Sequence, residues 1–101
     1  MGKRLDLHNL LCGALGSENV YYEPPENIKI VYPCIVYERT KIDSRYADGI
    51  PYLRKKKYTL TAIYRDPDSE IADRLSELPT CMHDRFFKTD SLYHDVFTIY
   101  F

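Results

Sequence analysis

The chain has 101 residues, 45% of them hydrophobic, and a formal net charge of −1 at pH 7. That length suits one domain with one core, and the composition is too apolar for a disordered tail. The near-neutral balance lacks the basic footprint of a dedicated nucleic-acid binder or of a polybasic membrane patch.

Ten tyrosines and no tryptophan are the compositional anomaly. Tyrosine serves surfaces that are exposed part of the time and buried the rest, and it equally favours β-sheet. Cys12, Cys34 and Cys81 sit in apolar stretches without C-x-x-C spacing. They read as reduced, buried small hydrophobes. No stretch reads as a signal peptide or a membrane span, so synthesis and use in the cytoplasm are expected.

Residues 4–15 carry helical periodicity, with Leu7, Leu10, Leu11, Ala14 and Leu15 on one face. Gly16 follows where a helix end wants a left-handed backbone. Residues 20–23 suggest a short strand that Pro24 and Pro25 stop. Residues 34–41 alternate as a strand, residues 42–51 read as a polar loop with Asp48-Gly49 as its turn, and residues 52–65 form the longest strand pattern. Together these predict one long hairpin whose tip projects beyond the core.

Asp66-Pro67-Asp68-Ser69-Glu70 predicts a helix start, with Asp66 as N-cap and Pro67 in the first helical position. Ile71, Leu75 and Leu78 supply its apolar stripe, and Pro79 ends it. Residues 81–88 and 92–101 close the chain as two strands joined by Thr89-Asp90-Ser91. The expected fold is a single α+β domain over residues 1–101. It has an antiparallel sheet with a long β-hairpin, packed against an N-terminal helix and a second helix.

Chemistry is weakly signposted. His83, Asp84, His94 and Asp95 are the best cluster, because a hairpin could bring the two histidines together. Neighbours on a strand face opposite ways, however, so neither His-Asp pair converges. No base can be placed beside a cysteine nucleophile, and no glycine-rich phosphate loop is present. No catalytic residue, metal ligand or cofactor is expected. Lys55, Lys56 and Lys57, next to Arg54, read as a solvated hairpin stem or as contacts to nucleic acid or an acidic partner. Arg45, Tyr46, Asp48 and Tyr52 mix charge with aromatics, which suits a protein interface. These seven loop and stem residues, Arg45, Tyr46, Asp48, Tyr52, Lys55, Lys56 and Lys57, are the expected oligomer or partner contacts.

Several stretches resemble a family of siphophage tail-completion proteins from phages and prophages of Gram-positive bacteria. They are Val20-Tyr-Tyr-Glu-Pro-Pro25, Tyr32-Pro-Cys-Ile-Val-Tyr-Glu38, Arg45-Tyr-Ala-Asp48 with Pro51-Tyr52, Tyr58 through Asp66-Pro-Asp-Ser-Glu-Ile71, and the ending from Cys81 through Asp84-Arg-Phe86 to His94-Asp-Val-Phe-Thr-Ile-Tyr-Phe101. The likeness runs from about residue 20 onward in a consistent order, although no single motif encodes chemistry. Gly49 departs from the asparagine expected there, and both residues tolerate a left-handed turn.

The resemblance implies a virion structural protein at the head–tail junction, a tail terminator or neighbouring head–tail connector. Such proteins commonly form a homo-oligomeric ring, often hexameric, that caps the tail tube. The implied partners are the major tail tube protein and a head-side connector or stopper protein. No enzyme activity, cofactor, membrane or sequence-specific nucleic-acid binding is implied. The implied location is the bacterial host cytoplasm during assembly and the virion tail or neck afterwards. A head-side stopper or adaptor, a host protein-binding α+β module, and a small enzyme using His83 and His94 are the alternatives.

Overall fold

The computed structural model describes residues 4–25, 28–47 and 50–101, with side chains for all of these but residues 41–55. Seven elements follow in chain order: α1 (Arg4–Leu15), β1 (Val20–Tyr22), β2 (Cys34–Ala47), β3 (Ile50–Tyr64), α2 (Ile71–Ser76), β4 (Cys81–Thr89) and β5 (Leu92–Tyr100). The strands form one sheet in the order β1-β2-β3-β5-β4. All neighbours run antiparallel except β1, which lies parallel to β2. The fold is therefore α+β, as the pattern of elements predicts.

α1 forms because Leu7, Leu11 and Leu15 recur one turn apart and bury against the sheet. Leu10, expected on the same face, is 37% exposed. The buried stripe follows the i, i+4, i+8 row, and Leu10 falls to its flank. Gly16 ends the helix at φ +81°, and its N–H donates to the Cys12 carbonyl at 2.8 Å. The Arg74 guanidinium reaches across from α2 to the Ala14 carbonyl at 3.4 Å.

The sheet has two unlike faces. Val20, Ile35, Tyr37, Tyr58, Leu60, Ala62, Tyr64, Phe97 and Ile99 join Leu7, Leu11, Leu15, Ile71 and Leu75 in one core cluster. Cys34 and Val96 are buried too, but by alternation they lie on the other face and outside that cluster. The tyrosine excess goes partly into this core. Tyr37 packs in tilted ring contacts with Tyr22 at 4.9 Å and Tyr58 at 6.1 Å, and its hydroxyl accepts from Arg4 and pairs with His8 Nδ1.

The structure corrects two predicted boundaries. Residues 42–47, 50 and 51 are strand and not loop, because β2 continues to Ala47 and β3 begins at Ile50, while the predicted Asp48-Gly49 turn lies outside the described residues. A ladder satisfies backbone N–H and C=O groups whether or not the side chains are apolar. The second correction concerns Asp66, which does not cap a helix. Its carboxylate accepts the Asp68 N–H at 2.9 Å and its carbonyl accepts the Ser69 N–H at 3.1 Å. That Asx-turn competes with helix, so α2 starts later, after Glu70, which makes no side-chain cap.

Candidate functional site

The expected contact residues fall on the β2–β3 hairpin. The main sheet ends where Lys56 and Phe101 exchange both backbone hydrogen bonds, at 3.1 and 2.9 Å. Beyond that rung β2 and β3 pair only with each other among the described residues, through Asp43↔Lys55, Ser44↔Arg54, Arg45↔Leu53, Tyr46↔Pro51 and Ala47↔Ile50. Pro51 is tolerated because this part of β3 has no second neighbour to which it must donate.

Arg45 and Tyr46 thus lie on β2, and Tyr52 and Lys55 on β3, with Tyr52 skipped by the register where it shifts between Arg45 and Tyr46. The side chains of Arg45, Tyr46, Tyr52 and Lys55 lie outside the described residues, as does all of Asp48. Lys56 and Lys57 are half-buried at the hairpin's root. They face opposite sides of the sheet, as adjacent strand residues must. A second register shift between Arg39 and Lys41 leaves Thr40 unpaired, and its hydroxyl donates to the Lys57 carbonyl at 3.2 Å. The hairpin gives the molecule a long axis: its extents are 50 × 26 × 22 Å.

The histidine cluster does not assemble as a His–His pair. His83 pairs with Phe97 across the ladder, whereas His94 pairs with Phe87 and stacks on it at 4.6 Å. His83 Nε2–H instead donates to Asp95 Oδ1 at 2.9 Å, and the Tyr64 hydroxyl donates to Asp95 Oδ2 at 2.5 Å. On the opposite face the Thr98 hydroxyl donates to Asp84 Oδ2 at 2.6 Å. Burial and the Asp95 contact push the Tyr64 phenol well above its usual range.

Sequence reasoning missed the Tyr64–Asp95–His83 chain because it depends on a bulge. Pairing runs in step from Thr89↔Leu92 to Arg85↔Val96, then shifts so that His83, not Asp84, meets Phe97. Without the shift Asp84 would share the core face with Asp95. One extra residue flips the faces and puts a donor beside the buried carboxylate.

A His–Asp pair can orient a base, but a nucleophile is also needed. Cys81 lies two residues from His83 on the same face, yet burial and then Asp84 push its thiol up to about 11. It is a protonated core thiol at neutral pH. Cys34 is pushed up to about 11 by burial alone. Among the described residues no three His, Cys, Asp or Glu side chains form a metal-holding group, and no helix is long and apolar enough to cross a membrane. An open cleft of about 320 Å³ lies at the end of the sheet opposite the hairpin, lined by Tyr32, Pro33, Tyr64, Arg65, Asp66 and Ser69. No protein-family model, curated protein or solved structure matches the chain.

Proposed function

We propose that this protein is a phage virion structural protein at the head–tail junction. It forms a ring that terminates the tail tube and helps join tail to head. The observation that carries the reading is the hairpin, which leaves a small α+β body and extends past the last strand that could support it. A two-stranded element with no further strand beside it among the described residues is suited to reach a neighbour. The ordered likeness to tail-completion proteins, from Val20 to Phe101, supports the same role. The role is architectural: it requires the tail tube protein and a head-side connector as partners, and no catalysis.

Deletion of the gene from its phage or prophage, followed by negative-stain electron microscopy of the lysate, tests this. Overlong or ragged tails separate from DNA-filled heads are expected. Normal-length free tails beside filled heads would move the role to a head-side stopper or adaptor. Normal infectious particles would remove the connector reading and leave a host protein-binding module.

A further inference from the structure

The charge of the chain is divided between the hairpin with its root and the rest of the molecule. Residues 41–57 hold six Lys or Arg and two Asp, whereas the rest of the chain holds eight Lys or Arg and thirteen Asp or Glu. The hairpin segment is thus +4 and the remainder −5. The densest acidic run is Asp66, Asp68, Glu70, Asp73 and Glu77, all exposed. Two cations adjoin it: Arg74 is engaged with Glu70 at 3.4 Å and with the Ala14 carbonyl, and Arg65 lies over the Tyr32 ring at 5.6 Å.

β3 holds these regions apart. It starts at Ile50 in the hairpin and ends at Tyr64, just before the turn that Asp66 closes. From Lys57, the last cation of the hairpin's root, β3 runs a further seven residues to Tyr64, about 23 Å at 3.3 Å per residue. A paired strand does not fold back, so the basic and acidic ends of one molecule do not meet. The acidic end also holds the cleft between Tyr32, Tyr64 and Ser69.

We propose that the two ends meet between copies: the basic hairpin of one molecule docks at the acidic turn and cleft of the next. This rests on the ring-subunit reading and names the surfaces that would form the ring. Such a contact is heterologous, and it closes into a ring when the rotation per subunit permits. A second copy brings the complementary charge in the right place. Nucleic acid fits less well, because the −5 body would be repelled by its phosphates. The β4 edge is a poorer docking strip, since its bulge and its Arg85 and Lys88 are features that guard edges against pairing.

The test mixes equal amounts of unlabelled and ¹⁵N-labelled full chain at low salt with a carbodiimide. Mass spectrometry then reads amide links between lysines and carboxylates. Mixed-isotope links from Lys55, Lys56 or Lys57 to Asp66, Asp68 or Glu70 are expected, falling about tenfold between low and molar salt as the charges are screened. Two variants sharpen the result, each checked for folding by circular dichroism. One carries Lys55→Glu, Lys56→Glu and Lys57→Glu; the other carries Asp68→Lys, Glu70→Lys and Asp73→Lys, with Asp66 kept because it closes the turn. Each alone should lose mixed links to the acidic turn, and a mixture of the two should regain them.

Links confined to one isotope, no links, or no recovery in the mixture would overturn the proposal. Retention of a short DNA duplex through the lysines without mixed links would also overturn it and assign the hairpin to nucleic acid. The outcome is separable from the particle test. Mixed links with normal particles on gene deletion would keep the contact and lose the phage role, and tail defects without mixed links would do the reverse.

Discussion

The body and the hairpin are built from the same two strands under different rules. In the body, β2 and β3 lie between other strands and beneath α1, and Tyr37, Tyr58 and Leu60 are almost fully buried. In the hairpin the same strands pair only with each other among the described residues. A two-stranded ribbon is marginal by itself in water, so its shape depends on being rooted in the sheet. The contrast teaches that stability and reach are assigned to different stretches of a continuous pair of strands.

Substitutions in the body should break it. Phe97→Ala empties the centre of the core and should cost about 3–5 kcal/mol, read as a urea midpoint shift. Asp95→Ala strands the Tyr64 hydroxyl and His83, and should cost about 2–4 kcal/mol, with Asp95→Asn milder.

Alkali should act on the body as well. The folded state holds the Cys34 and Cys81 protons to about 11, whereas the unfolded thiols release theirs near 9.0. A raised folded pKa on an acid favours unfolding as pH climbs through the unfolded value. Stability should therefore be level below pH 9 and fall by about 2 kcal/mol for each thiol towards pH 11. Cys34→Ala should flatten part of that slope in a pH series of denaturation curves.

The β4–β5 turn holds Asp90 at φ +51° and Ser91 at φ +63° without a glycine. Ser91→Gly should raise stability by about 0.5–1 kcal/mol in thermal melts by relieving the left-handed strain.

Shortening the hairpin, by joining Asp43 to Lys55 through Asn-Gly, should change body stability least, by under about 1 kcal/mol. A loss as large as that of Phe97→Ala would erase the distinction between the two regions.

Much of the candidate site was legible in local sequence. Basic residues 54–57 stand beside an apolar strand half, so a projecting stem followed from the change of pattern at Tyr58. Its length was not legible. Polar residues 42–47 look like loop in a hydrophobicity reading, because backbone ladder bonds leave no mark on side-chain polarity. The Asp66 cap failed for a related reason. The same residues that start a helix also close an Asx-turn, and packing of Ile71 and Leu75 decides where the helix begins.

What the sequence determined by itself is the set of elements and which alternate residues of β3 and β5 share a face, since periodicities of two and 3.6 residues are properties of the chain alone. Only the tertiary structure decided that β5 enters between β3 and β4, that β1 runs parallel, and that a bulge at Asp84 turns His83 towards Asp95. Those choices balance ladder pairing against the cost of a buried, unpartnered carboxylate, and that balance exists only once distant segments are in contact.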